Sequence, residues 1–371
     1  MRILFALLCL SIAHSAFAAD SSLKTPNISA NTLFLYQNSN FHKDDVDPAN
    51  PDQNRNGFDI QEAELQFYSD VDPYTRLNML LSVHPEYESD GTKVEEKWIL
   101  EPEELFVEST SLPSVLLKLG KFKAAMGKHN MLHTHAYPFI QAPLANQALL
   151  GDEGLNDVGL SGAIMLPAPW FSELTLQALR GEGENAEFNS PSPSDGVGLA
   201  HWKNLFDLSD ALTMELGLSY ATGGNSLKGT TALSGADLTF KWRPNEGGRY
   251  HSLIWSTEYL ARNESQSGVS DNEKSYGVSS FIQYQFAERW AALYRYDNLN
   301  VENTFNPATL PNGPSERNSL AIAYMPSEFS SFKLEYDQRH GGVPSSSGED
   351  TEKAIFLQAN FTIGSHPAHA Y

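Results

Sequence analysis

The sequence predicts an all-β chain rolled into a transmembrane antiparallel barrel of about 16 strands, and three regularities predict it. Apolar and polar residues alternate with period 2 from roughly residue 29 to 363. Short links between the alternating segments take turns with long ones. Aromatic side chains gather beside the short links.

The chain begins with a leader-like segment. Arg2 gives a basic start, Ile3 to Ile12 are apolar, and Ala16-Phe17-Ala18 offers a small-x-small cleavage site. Residues 1–18 therefore read as a signal peptide cut after Ala18, and 19–371 as the barrel with a short tail over 364–371. Cys9 is the only cysteine and lies inside the leader, which excludes disulfides, thiolate metal sites and cysteine nucleophiles from the exported chain. The 371 residues carry 25 Lys and Arg against 46 Asp and Glu, a formal charge of −21. Such acidity argues against a nucleic-acid partner, whose phosphates need basic side chains. No segment has the roughly 20 apolar residues of a membrane-crossing helix.

The strand signal is cleanest over 212–220, where Leu212, Met214, Leu216, Leu218 and Tyr220 share one face and Thr213, Glu215, Gly217 and Ser219 the other. The same contrast recurs at 236–243, 290–297 and 331–339. Short links are expected near 70–73, 111–113, 167–171, 206–211, 244–249, 287–288 and 326–330. Long ones are expected near 39–57, 84–102, 123–156, 181–195, 223–230, 263–274, 298–315 and 340–351. An even strand number with short periplasmic turns and long external loops is the outer-membrane pattern. Tyr74, Trp170, Phe171, Phe206, Trp242, Tyr250, Phe286, Trp290, Phe329 and Phe332 lie at the short turns, as an interfacial girdle requires. Lipid and lipopolysaccharide of a Gram-negative outer membrane are the partners this implies, and homotrimers are common on such scaffolds.

In hydrocarbon every backbone N–H and C=O needs an internal partner, so the sheet must close. With apolar faces outward, charges point into a water-filled lumen. Parity assigns Arg76, Lys118, Glu215, Asp237, Lys241, Glu258, Arg262, Arg295, Asp297, Lys333, Glu335, Asp337 and Arg339 to the pore lining, with Glu62 and Glu64. The two signs nearly balance. The acidic excess falls in expected loops, at Asp44, Asp45, Asp47 and Asp52, and at Glu86, Glu88, Asp90, Glu95 and Glu96. Such loop charge reads first as solvated surface; the sharper alternative is that it concentrates cations at a mouth.

The longest link, 123–156, is the third external one. Its Met131, Leu132, Phe139, Ile140, Leu144, Leu149 and Leu150 are out of place in a solvated loop, so it is expected to fold inward. Asp152, Glu153 and Asp157 would then be the acidic groups at the constriction, biasing passage weakly toward cations. His129, His133 and His135 share this loop and are weak metal candidates. Zinc needs three or four convergent ligands, and no carboxylate–histidine signature surrounds them; loop hydrogen bonding is the simpler reading. No cofactor is expected. Enzyme chemistry finds no foothold, since G-x-S-x-G is absent and the Gly223-Gly224 and Gly341-Gly342 pairs lie in loops.

The run Gly120-Lys121-Phe122, Gly127-Lys128-His129-Asn130, Leu132-His133-Thr134-His135-Ala136, Pro138-Phe139 and Gly151-Asp152-Glu153-Gly154-Leu155-Asn156-Asp157 resembles a family of porin-like outer-membrane barrels. That family is often labelled zinc-regulated TonB-dependent outer-membrane receptors, and the ending Phe361-Thr362-Ile363-Gly364 with His366-Pro367-Ala368-His369 agrees. The resemblance implies passage of zinc or a zinc complex. A TonB-dependent transporter needs a sizeable plug ahead of a 22-stranded barrel, and only a few residues precede the first strand here. Passive diffusion of small hydrophilic solutes or ions through an outer-membrane porin-like channel is thus the expectation. A plugged receptor that captures a metal or metal complex with its loops is the alternative.

Overall fold

The computed structural model describes residues 26–41, 56–89, 94–151, 153–182, 186–190, 192, 195–305, 312–342 and 350–364. The expected leader, Asp152 and the tail histidines His366 and His369 lie outside the described residues.

Period-2 alternation builds sixteen strands. The first eight are β1 (Asn27–Ser39), β2 (Gly57–Asp70), β3 (Thr75–Ser89), β4 (Val94–Ser109), β5 (Val115–Lys123), β6 (Asn156–Met165), β7 (Phe171–Leu179) and β8 (Val197–Ser209). The rest are β9 (Leu212–Gly224), β10 (Thr230–Trp242), β11 (Ser252–Glu264), β12 (Glu273–Ala287), β13 (Trp290–Val301), β14 (Gly313–Ser327), β15 (Ser330–His340) and β16 (Thr351–Gly364). Each pairs antiparallel with its sequence neighbours, and β1 pairs with β16 from Ser29↔Gly364 to Ser39↔Ala354. The sheet is a closed barrel with no free edge, as the sequence predicts.

The two faces separate as expected. On β9 Glu215, Ser219 and Ala221 are buried inside while Leu218 and Tyr220 are exposed outside. Leu320, Ile322, Leu334, Tyr336 and Leu357 continue the apolar exterior on β14–β16. Tyr74, Trp170, Phe171, Trp242, Tyr250, Phe286, Trp290, Phe329 and Phe332 are exposed around the short-turn end. Among the described residues no helix is long and apolar enough to cross a membrane.

Loop lengths depart from expectation in two places. The link expected over 84–102 is mostly paired sheet, because β3 and β4 run on together from His84↔Ile99 to Ser89↔Val94. The link 243–251, at the short-turn end, spans more residues than the link 225–229 at the other. A bulge shifts the phase of alternation along the β3–β4 ribbon and so hides its strands from a period-2 reading. The β3–β4 register shifts at Leu80/Leu81, where Glu104 and then Pro102 are the partners, so Glu103 has no residue opposite it. An extra residue flips the parity of everything beyond it. Leu105 and Val107 face outward on one side of the bulge, and Trp98 and Leu100 on the other.

Candidate functional site

The link 124–155 leaves β5, runs inside the tube and returns to β6. Its neck is closed by Ala124 N–H donating to Leu155 O at 2.8 Å. Asn130 clasps both sides. Its Nδ2 donates to Ala124 O (2.8 Å) and Leu155 O (3.0 Å), and its Oδ1 accepts from Leu155 N–H (2.7 Å). Two glycines make this fit. Gly154 (φ +69°) has no room for a side chain beside Asn130 Oδ1, and a Cβ on Gly127 (φ +69°) would stand 2.8 Å from Glu258 Oε1.

From this neck the loop is tied to walls all round the lumen. Ala125 N–H donates to Gln177 Oε1 on β7 (3.0 Å), and Gly127 N–H to Ser219 Oγ on β9 (2.9 Å). Lys128 Nζ reaches Glu215 on β9 (3.0 Å) and Thr239 on β10 (3.2 Å). Glu258 on β11 accepts from Lys128 N–H (2.8 Å), His129 N–H (2.9 Å) and Asn146 Nδ2 (3.1 Å). Farther round, Arg295 on β13 donates to Gln141 O (2.7 Å), Arg317 on β14 to Ala142 O, and Lys333 on β15 to Tyr137 O. Glu335 on β15 accepts from Ile140 N–H at 2.6 Å. Wall side chains thus satisfy backbone groups that a loop inside a tube would otherwise leave bare.

Apolar contacts fill the space between these bonds. A short helix, α1 (Leu144–Leu150), buries Leu144, Ala145, Leu149 and Leu150 beside inward residues of β8–β13 such as Leu199, Leu233, Leu260 and Leu299. Phe139 lies against Phe281 with ring centres 5.9 Å apart, and the Arg295 guanidinium sits 4.5 Å above it. Ile140 meets Leu35, Ala354 and Phe356 of β1 and β16. The inward fold of this loop, expected from its apolar residues, is what the structure has.

On the β2–β4 side the loop meets carboxylates. His133 Nδ1 lies 2.9 Å from Glu103 Oε1 and its Nε2 3.3 Å from Glu104 Oε2. The bulge explains how two neighbouring residues of one strand both face the lumen. Lys123 Nζ also sits 2.9 Å from Glu103 Oε1, and His135 pairs with Glu64 on β2. The His133 and His135 rings stack with centroids 5.9 Å apart. Burial disfavours an imidazolium at His133, but Glu103 and Glu104 outweigh it and hold its pKa well above the ordinary histidine value. His129 behaves oppositely. Buried and near Arg295 and Lys123, it is pushed down to about 3 and stays neutral, lying against Tyr137 at 4.3 Å. The three histidines therefore do not converge; His133 and His135 face acids while His129 packs elsewhere.

A second link folds inward too. After β7, Gly181 N–H donates to Asp157 Oδ2 (2.6 Å), and Glu187, in a single 3-10 turn (Ala186–Phe188), pairs with Arg262 at 2.7 Å. Phe188 is buried in the same apolar cluster as α1. Burial and the neighbouring Glu264 push Glu187 up to about 7, against the pull of Arg262. Asp157, expected at the constriction, instead opens β6 and holds this second link. Glu153 does line a cavity of about 400 Å³ at the long-link end, with Asp59, Glu62, His84 and Glu86.

All fifteen charges that parity assigns to the interior lie on the inward face, but they meet different surroundings. Arg76 pairs with Asp70 (2.9 Å) and Glu108 (3.7 Å), Lys118 lies over the Phe106 ring, and Lys241 lines a cavity at the short-turn end. Arg262 belongs to the second link, and Asp297 joins Arg295 (3.0 Å) with Arg317 (2.8 Å). Asp337 stands 3.8 Å from Arg317, and Arg339 donates to Ser315. Glu258, Arg295, Lys333 and Glu335 lie under the loop, since parity names the face of a strand but not what covers it. Asp237 and Glu215 are buried nearby. Sequence reasoning missed Arg317, Lys128, Glu103 and Glu104. Arg317 shares its face with Ser319, Ala321 and Ala323, whose small side chains give no polar contrast to Leu320 and Ile322. For Glu103 and Glu104 a signal existed: the alternation changes phase between Leu100 and Leu105.

The architecture defines the fold class: a closed 16-stranded antiparallel barrel, the fold that solved outer-membrane porins share. Among solved structures, the anion-selective porin from Comamonas acidovorans is similar at TM-score 0.58 and 10% identity, over 91% of this chain and 99% of that one. The trimer form of OmpT from Vibrio cholerae gives 0.58 at 9% identity (91% and 99%), and the outer-membrane channel DcaP of Acinetobacter baumannii 0.56 at 10% (91% and 97%). An uncharacterised protein of Aquifex aeolicus (strain VF5) is 26% identical over 349 residues, 85% of this chain and 71% of that protein. No family model matches the chain. The resemblance to zinc-regulated TonB-dependent receptors finds no support in these comparisons.

Proposed function

We propose that this chain is a porin-like outer-membrane channel for small hydrophilic solutes or ions, kept narrow by the 124–155 loop. The observation that carries the reading is the sorting of one closed sheet into an apolar exterior and an interior that holds the strands' charged side chains beside apolar ones covered by the loop. A tube of 16 strands is wide enough for an aqueous path. Likeness to the Comamonas porin and to DcaP supports the same reading, and with it an outer-membrane location and lipid as the surrounding partner. The charged residues named above serve as lining or as loop anchors rather than as catalysts.

Planar-bilayer recording of the purified protein tests this. Discrete conductance steps are expected, and they should grow several-fold when residues 125–154 are replaced by a short Gly-Ser link. A barrel that conducts only after that replacement is a plugged receptor. Absence of conductance in both forms overturns the channel.

A further inference from the structure

We propose that the corner where the loop meets β2 and β4 is a binding site for one divalent transition-metal cation, held by Glu64, Glu103 and His133. The ligand atoms of these three side chains lie within 4.8 Å of one another, and they come from a strand, a bulge and a loop. A tetrahedral ion with bonds near 2.0–2.1 Å sets its ligands about 3.4 Å apart, so the corner needs to close by roughly an ångström. Glu103 supplies the second observation. It is 3% exposed, and its Oε1 is engaged by Lys123 and His133 at 2.9 Å each. Its Oε2 is buried with no hydrogen-bond partner among the described residues. A carboxylate oxygen left bare in a buried site is costly, and a cation satisfies it.

The surroundings fit an ion. Glu62, Glu64, Glu103 and Glu104 bring four carboxylates to one corner, beside the Lys123 ammonium. His135 contacts Glu64 and stacks on His133, which orients two of the ligands in the way outer partners do in metal sites. One imidazole nitrogen with two carboxylate oxygens suits zinc, cobalt, nickel or iron(II); magnesium and calcium prefer all-oxygen sets. Bound there, the ion staples the loop to the wall opposite Glu258, so it is a resident of the barrel and not its cargo. The case stands on ligand geometry, independently of whether the barrel conducts.

The test is Zn²⁺ binding to the EDTA-stripped full chain in detergent, read by titration calorimetry, with Co²⁺ absorption as a second readout. One ion per chain is expected, with Zn²⁺ bound far more tightly than Mg²⁺. Glu103→Gln, which keeps shape and hydrogen bonding, and His133→Ala should each weaken Zn²⁺ at least tenfold and remove the Co²⁺ bands. Heat-modifiable gel mobility checks that both variants are folded barrels. His251→Ala at the short-turn end and the His366→Ala/His369→Ala pair should change nothing. Equal Zn²⁺ uptake by wild type and both site variants, or none by any, overturns the proposal.

Discussion

Glu258 decides much about the loop. One buried carboxylate accepts two backbone N–H groups and an amide, and hydrogen bonds to a charged acceptor contribute about 1.5–3 kcal/mol each. Glu258→Gln puts an NH2 where a donor already points, so loop docking should weaken by about 2–4 kcal/mol. Limited proteolysis checks it: cleavage between 124 and 155 should appear in the variant while the barrel stays heat-modifiable. Glu187 gives the pH dependence. Its folded pKa, about 7, lies above the ordinary 4.5, so docking of the second link is strongest below about 4.5 and weakens as pH rises through about 7. Arg262 and Glu264 are the charges that face it. Protease access to 180–196 should therefore rise from pH 5 to pH 8 in wild type and stay flat in Glu187→Gln. Single residues were legible in sequence only as far as face. Parity put Glu258 and Arg295 inside, yet it could not show them bonded to a loop.

At the scale of elements, α1 has seven residues and no side-chain cap, too short to be helical unless packing holds it. Its stability is the burial of Leu144, Leu149 and Leu150 against β8–β13. Leu149→Ala should cost about 2–5 kcal/mol, toward the lower end because a loop can settle into the gap. Channel recordings should then show longer open dwell times or noisier currents than wild type, with unchanged barrel mobility on gels. The inward fold of this loop was legible because apolar residues in a link have nowhere else to go. The β3–β4 ribbon was not. It carries Pro85 and Pro102, and the bulge shifts its phase midway. Backbone pairing continues through it, and backbone pairing leaves no compositional trace.

For the whole molecule, a cavity at one end of the barrel is lined mainly by acids and a cavity at the other mainly by bases. The cavity at the long-link end is lined by Asp59, Glu62, Glu86 and Glu153, whereas the one at the short-turn end has Lys241, Arg243 and Arg249 against Asp210. Closure of the sheet fixes this polarity along the axis, because strand order and direction leave each side chain at one end only. Fixed charges of opposite sign at the two ends enrich cations at one mouth and anions at the other. Current driven one way then loads the pore with both carriers, and current driven the other way depletes it. The open barrel should rectify in about 0.1 M KCl, where screening acts over ~10 Å, and lose the asymmetry near 1 M, where it acts over ~3 Å. Lys241→Gln with Arg243→Gln should flatten the low-salt curve and shift the reversal potential toward cation preference. Linear currents of equal size at both polarities in 0.1 M salt would mean that these charged rims do not border the conducting path.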